Sequence, residues 1–220
     1  MNELVVIDLD NTLINGYSQQ LFLKYLLQKK FITLGFYLKL SLWFVLYKLN
    51  LAKNPEAMME FAYGFLKGRG SEEVQKLAAD FFETVLKKII FSDLVALINE
   101  HRAKGRKLLI VSSVPDVLVK EIARFLEITE YKTPHLEVAN GKFTGKISKI
   151  VYGKNKTSSL HEFANEKGFS LKSAWAYADH FSDLDMLQSV AHPFVVNPGK
   201  KLLREAQKRS WPVLHFKDLL

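Results

Sequence analysis

Apolar residues follow two different periods along this chain. Leu4-Val5-Val6-Ile7 is a short β-branched run that stops on Asp8 and Asp10, the pattern of a buried strand that carries charge to its carboxyl end. From Tyr17 to about residue 90 the period becomes helical. Tyr17 to Gln28 places Leu21, Phe22, Tyr25 and Leu26 on one side and Gln20, Lys24 and Gln28 on the other. Phe31 to Leu49 is nearly all aliphatic and aromatic, with Thr33, Tyr37, Ser41 and Lys48 on one narrow stripe and Lys39 almost opposite. Asn54-Pro55-Glu56 offers an N-cap and a first-position proline for a new helix, and Ser71-Glu72-Glu73 opens another after the Gly68-Arg69-Gly70 break. Four helices in succession are therefore expected after the first strand.

Strand and helix alternate from Phe91 onward. Leu94 to Lys104 reads as a helix closed by Gly105, and Arg106 to Ser113 as a second buried strand ending in hydroxyls. Pro115-Asp116 opens a helix over Val117 to Leu126, and Glu137 to Lys146 reads as a hairpin with Asn140-Gly141 in its turn. Then come a helix from Thr157 to Lys167, strands over Ser173–Ala178 and Phe194–Asn197, a helix over Leu202–Lys208, and a short edge strand within Trp211–Phe216. This alternation predicts an α/β fold around a parallel sheet, with ligands beyond the carboxyl ends of the strands.

Composition narrows the classes. Hydrophobic residues make up 48% and charged residues 25%, a globular balance. Cysteine is absent, which removes disulfides and thiolate metal sites and suits a reducing compartment. Met1-Asn2-Glu3 runs straight into the first strand without a signal peptide, so a cytoplasmic protein is expected. The net charge of +8 favours anionic partners. The basic residues are scattered pairs such as Lys29-Lys30, Lys87-Lys88 and Lys200-Lys201, without the aromatic platform of a nucleic-acid module, so no nucleic acid is expected.

Candidate chemistry lies at the strand ends. Asp8 and Asp10 flank Leu9, so the chain must bend for them to converge, and Asn11 tolerates such a turn. Two carboxylates this close raise one another's pKa unless a cation lies beside them, and Mg²⁺ is the natural one, held by one or two carboxylates, water and a substrate phosphate. Ser112, followed by a helix amino end, makes an anion site, and Lys156 at the start of a helix calls for an anionic partner. Asp179 and Asp183 load the end of a third strand.

The oily stretch Phe31–Leu49 has the length of a membrane span. Lys39 near its middle, and a crossing that would put the strands on opposite sides of a bilayer, argue against one. The remaining expectations are a core helix of a small bundle or a helix lying on an anionic membrane at the inner face, with the side carrying Phe36, Trp43 and Leu46 in the acyl region.

Taken in order, Asp8-Leu9-Asp10-Asn11-Thr12, a strand ending in Ser112, Gly153-x-x-Lys156 and Tyr177-Ala178-Asp179-x-x-x-Asp183 resemble the four motifs of the haloacid dehalogenase superfamily. The helical insertion after the first motif resembles the cap of its phosphoserine phosphatase-like branch (subfamily IB), and its oily second helix is most similar to the cap of phosphatidylglycerophosphate phosphatases. The resemblance spans essentially the whole chain. It implies a doubly wound, Rossmann-like parallel-sheet core, residues 1–14 and 88–220, with a helical-bundle cap over residues 15–87.

The resemblance also implies a Mg²⁺-dependent phosphatase. Asp8 would be the nucleophile that forms an aspartyl-phosphate, and Asp10 the general acid and base. Ser112, Ser113 and Lys156 would hold the phosphoryl oxygens. Asp8, the Asp10 carbonyl and Asp179 would bind the metal, with Asp183 orienting its shell or Lys156. Asn11, where the superfamily often has Gly, and His180, where this branch commonly has Ser, depart from the pattern. A phospholipid or lysophospholipid monoester is the first substrate expectation and a small soluble one such as phosphoserine the second. A non-catalytic membrane or protein docking module on a vestigial core is a third, and the sequence carries no signal for an oligomeric state.

Overall fold

The computed structural model describes residues 3–48, 60–147, 151 and 153–220. Leu4–Ile7, with all four side chains buried, forms β1 at the middle of a six-stranded sheet. β2 (Lys107–Val111) lies on one side and β6 (Trp175–Ala178) on the other, so that Ile7 sits opposite Ile110 and Tyr177. With β3 (Glu130–Lys132), β7 (His192–Val196) and β8 (Val213–Leu214) the order is β3-β2-β1-β6-β7-β8, every pair parallel. The winding reverses between β1 and β6. That reversal opens a crevice beyond their carboxyl ends, the usual ligand position in a doubly wound sheet.

Strand alternation divides the core in two. Val5 and Ile7 face the side covered by α4 (Ser92–Ala103) and α5 (Asp116–Phe125), through Leu94, Ile98, Leu118 and Ile122. Leu4 and Val6 face α6 (Lys154–Lys167), α7 (Leu184–Gln188) and α8 (Lys200–Lys208), through Leu160, Phe163, Met186 and Leu202. Element ends differ from the sequence expectation by up to three residues, as helix termini do. β3 was not anticipated.

Between β1 and α4 the chain is helical. It forms α1 (Ser18–Gln28), α2 (Leu34–Lys48), a helical turn ending at residue 63, and α3 (Ser71–Phe81), which runs on through a π turn, Phe82–Leu86. Phe81 packs on Phe22 and Tyr25 at 5.0 and 5.2 Å between ring centroids. The helix start expected at Asn54-Pro55-Glu56 lies outside the described residues. The insertion leaves and returns side by side: the Asn15 N–H donates to the Ile89 carbonyl (2.7 Å) and the Phe91 N–H to the Leu13 carbonyl (2.9 Å). The last residues join the same ladder, through Ser92 N–H to Asp218 carbonyl (2.9 Å) and Leu220 N–H to Ile90 carbonyl (3.0 Å).

The expected hairpin forms as β4 (Leu136–Ala139) and β5 (Lys142–Ile147), with Asn140 and Gly141 at φ 51° and 73°, the left-handed pair its tight turn requires. It also pairs with the insertion: Gly68 N–H donates to the Phe143 carbonyl (2.8 Å), Phe143 N–H to Arg69 (2.9 Å) and Ser71 N–H to Gly141 (2.8 Å).

Helix α2 corrects one expectation. The side carrying Phe36 and Trp43 faces inward: Phe36 lies 5.6 Å from both Phe61 and Phe65, Trp43 stacks on Phe61 at 6.2 Å, and Leu40 is buried. Of the expected polar stripe, Tyr37 and Ser41 are half-buried, and Thr33 caps the helix by accepting the Phe36 N–H (3.3 Å). Leu34, Leu38, Leu42 and Val45 are the large apolar residues left exposed. A helix apolar all round has no periodic signal to orient it, so aromatic contacts with the following segment set its rotation. Among the described residues no helix is long and apolar enough to cross a membrane.

Candidate active site

Three neighbouring strands deliver the predicted residues to the crevice. In the sheet register the residue after Ile7 on β1 is Asp8, and the β6 chain beside it continues through Ala178 to Asp179. Asp8 is held by its own N–H on the Tyr177 carbonyl (3.0 Å) and by Thr12 Oγ1, which donates to its Oδ2 (3.4 Å). The chain then bends: Asn11 takes a left-handed φ of 55°, as its residue type allows.

Asp8, Asp179 and Asp183 are all buried, and each has a carboxylate oxygen within 4.8 Å of the others'. Lys156 reaches into them from the first turn of α6, with Nζ 2.6 Å from Asp8 Oδ1 and 3.1 Å from Asp183 Oδ2. Burial alone would lower the lysine pKa, but the Asp183 and Asp8 charges outweigh it and hold the ammonium well above its ordinary value. The acids go the other way. Burial, then the Asp8 and Asp183 charges, push Asp179 up to about 8, and burial raises Asp183 to about 6 against the pull of Lys156.

Asp10 stands apart. Its Oδ1 accepts the Ser18 N–H at the start of α1 (3.0 Å), and burial, opposed by that hydrogen bond, raises its pKa to about 7. Tyr63, buried in the insertion, lies close enough for the Asp10 charge to add to burial in raising its phenol. Ser112, at the end of β2, is buried, and its Oγ accepts the Val114 N–H (3.2 Å). The Ser113 carbonyl accepts from Gln19 Nε2 of α1 (3.2 Å). The amino end of α5 is partly committed: Asp116 N–H bonds the Pro134 carbonyl (2.9 Å), and the Asp116 carboxylate accepts from Leu136 N–H (3.3 Å) and meets Lys120 (3.3 Å). The Ser112 N–H is committed as well, to the Lys132 carbonyl (3.1 Å).

The residues present suit a hard cation. Asp183 Oδ1 is buried without a hydrogen-bond partner among the described residues, and three carboxylates share one ammonium. Oxygen donors in excess of positive charge are what Mg²⁺ requires. Asp183 stands in one cluster with Asp8 and Asp179 and also holds Lys156 (3.1 Å). His180 accepts the Ser182 N–H at Nδ1 (3.2 Å) and so shapes the loop between Asp179 and Asp183. Beside it opens a cleft of about 550 Å³ bordered by Asn11, Asn15, Asp179, His180, Asn197 and Lys217. Sequence reasoning missed Ser18, Thr12 and Tyr63. Thr12 stood inside the first motif, but nothing in the pattern marked the other two.

The pattern of the haloacid dehalogenase-like hydrolases matches residues 5–188. The chain belongs to that family. A probable phosphatase of Mycobacterium tuberculosis is 34% identical over 144 residues, 66% of this chain and 50% of its own, so this haloacid dehalogenase-like hydrolase spans about half the length of that relative. A histidinol-phosphatase of Neisseria meningitidis is 28% identical over 222 residues, 99% of this chain and 100% of its own. The phosphoserine phosphatase SerB1 of M. tuberculosis is 28% identical over 96% of this chain and 70% of its own. Among solved structures, a Bordetella pertussis protein of unknown function shares the fold at a TM-score of 0.89 and 22% identity, over 97% of this chain and 98% of that one. A phospho-aspartyl intermediate analogue of phosphoserine phosphatase does so at 0.69 and 20% identity, over 99% and 95%.

Proposed function

We propose that this hydrolase is a Mg²⁺-dependent phosphomonoesterase working through phosphorylated Asp8 on a small soluble substrate. What carries the reading is the meeting of Asp8, Asp179, Asp183 and Lys156 at the sheet's switch point. Asp8 attacks phosphorus, the bond from phosphorus to the leaving oxygen breaks, and Asp10 gives its proton to that oxygen. A water then attacks the phosphorus of the aspartyl-phosphate, Asp10 takes its proton, and inorganic phosphate leaves with Asp8 restored. An Asp10 whose pKa is about 7 is divided between both forms near neutrality, which suits a group that must act first as acid and then as base. Ser112, Ser113 and Lys156 hold the phosphoryl oxygens while charge shifts among them.

Asp8, the Asp10 carbonyl and Asp179 would hold Mg²⁺, and Asp183 fixes Lys156 beside it. When bound, the ion offsets the carboxylate charge and steadies the phosphoryl oxygens. Residues 15–87 act as the cap over a catalytic core of residues 1–14 and 88–220, which the Ser18 contact to Asp10 and the Gln19 contact to Ser113 support.

The small-substrate reading draws on the histidinol- and phosphoserine phosphatase names of relatives that match nearly the whole chain. A phospholipid or lysophospholipid phosphate is the second reading, favoured by the exposed apolar side of α2. The non-catalytic alternative fits poorly with a complete set of reacting groups. The test is phosphate release from phosphoserine, histidinol phosphate, sugar phosphates and detergent-dispersed lysophospholipid phosphate. Release should need Mg²⁺, with Ca²⁺ a poor substitute, and Asp8→Asn should lower it by about a thousandfold or more with the fold intact. Full activity in chelator, or near-parent activity of Asp8→Asn, would overturn the reading, and a preference for the dispersed lipid would move the substrate to the second one.

A further inference from the structure

Among the described residues, one side of α2 is apolar and exposed. Leu34, Leu38, Leu42 and Val45 recur at i, i+4, i+8 and i+11, so they form a single stripe, and each keeps between 51% and 59% of its surface exposed. Another side of the helix is packed: Phe36, Leu40 and Trp43 anchor it to the insertion. The stripe takes no part in that packing and is absent from the candidate active site. Large aliphatic side chains gathered on an exposed face mark a surface that meets something apolar.

Charge decides what that is. Between Asp10 and Glu56 the chain holds six lysines (Lys24, Lys29, Lys30, Lys39, Lys48 and Lys53) and no acidic residue. Residues 56–87, by contrast, carry six acidic residues against four basic ones. Lys39 is exposed on α2 next to Leu38, its ammonium 4.7 Å from the Phe61 ring centroid, and Lys30 is exposed in the turn before the helix. Lys29 is partly neutralised by Asp80 at 2.8 Å. A second copy docked on the stripe by two-fold symmetry would bring the same lysine-only segment against itself. An anionic bilayer offers an apolar layer and opposite charge together.

We infer that α2 is a peripheral membrane-binding element, in which the Leu34-Leu38-Leu42-Val45 stripe enters the boundary between head groups and acyl chains of an anionic bilayer. Lys30 and Lys39 meet the head groups. The helix lies on the surface, and the aromatic side, Phe36 and Trp43, stays within the protein. The attachment is independent of what the active site hydrolyses, so it holds for a soluble or a lipid substrate alike.

The test is sedimentation with phosphatidylglycerol-containing vesicles, with pure phosphatidylcholine vesicles alongside. The full chain should bind the anionic vesicles, much less the zwitterionic ones, and less at high salt. Leu38→Glu with Leu42→Glu should reduce the partition coefficient by roughly a hundredfold or more, with circular dichroism and p-nitrophenyl phosphate turnover unchanged. Lys30→Gln with Lys39→Gln, which leaves the stripe intact, should reduce it by roughly thirtyfold. Failure of the parent to bind, or unchanged binding in either double variant, would overturn the inference. A lipid-free dimer by light scattering that the leucine variant breaks would hand the stripe to a second copy. Turnover is read separately, so loss of the phosphatase reading would leave the vesicle result standing.

Discussion

The two ends of the parallel sheet both bury polar groups, and they settle them in opposite ways. At the amino end His101 Nδ1 accepts from the Arg106 guanidinium (3.0 Å), and its Nε2 pairs with Tyr177 Oη (2.8 Å). Arg106 in turn pairs with Glu3 (2.8 Å) and lies 3.7 Å from the Trp175 ring centroid. Burial, helped by the charges of Arg106 and Lys104, lowers the His101 pKa to about 4, so the ring is neutral and its bonds suit a neutral ring. At the carboxyl end three buried carboxylates share one lysine, and one carboxylate oxygen has no partner among the described residues. β6 serves both ends, with the Tyr177 hydroxyl in the first cluster and its carbonyl holding the Asp8 N–H. A complete network adds stiffness. An incomplete one keeps a demand for charge that a ligand can meet.

The largest expected effect lies at the carboxyl end. Asp10→Asn should reduce kcat/KM by about 10²- to 10⁴-fold for alkyl phosphates and by less for p-nitrophenyl phosphate, whose leaving group needs no proton. Equal losses across leaving groups would remove Asp10 from its acid role. Next, Lys156→Met should destabilise the metal-free protein by about 3–5 kcal/mol, since it leaves buried carboxylates without their cation, and Mg²⁺ should restore part of the loss. A urea midpoint unmoved by the substitution would mean that this end is not charge-stressed at all.

The smallest effect sharpens the contrast through pH. His101 has a folded pKa of about 4, below its ordinary 6.5, so the unfolded chain binds its proton first. Stability from this end is present above pH 6.5 and is lost as pH falls toward 4, by about 3 kcal/mol at most. Asp179, raised to about 8, has the opposite sign: in chelator its contribution grows as pH falls through 8. The metal-free protein should therefore gain stability as pH falls from about 8 to 6.5, and gain it more slowly below 6.5, where His101 opposes the acids. In urea titrations His101→Gln should steepen the gain below pH 6.5 without changing turnover, and an unaltered profile would show that His101 does not oppose it.

Most of the sheet could be read from the chain because buried parallel strands are uninterrupted apolar runs, and β1, β2 and β6 are such runs ending on chemistry. β3 was missed because Glu130-Tyr131-Lys132 is three residues long, half-buried and polar at two positions, so it has no period to detect. The exposed side of α2 was misjudged for the reverse reason, since every side looks buried when all are apolar. Asp8, Asp10, Asp179 and Lys156 were legible through spacing. Ser18 and Tyr63 were not, because their nearness to Asp10 is created by how the insertion folds back, and no local pattern encodes that.

The ladder that joins Asn15 to Ile89 and Leu13 to Phe91 makes the whole helical insertion, topologically, a loop closed at its base. Its ends are hydrogen-bonded neighbours whatever lies between them, and the entropy of closing a loop rises only slowly with its length. Helices can therefore be lengthened, recoloured or exchanged above that base without re-threading the sheet or moving Asp8. Change in such an insertion costs little in the part that does chemistry.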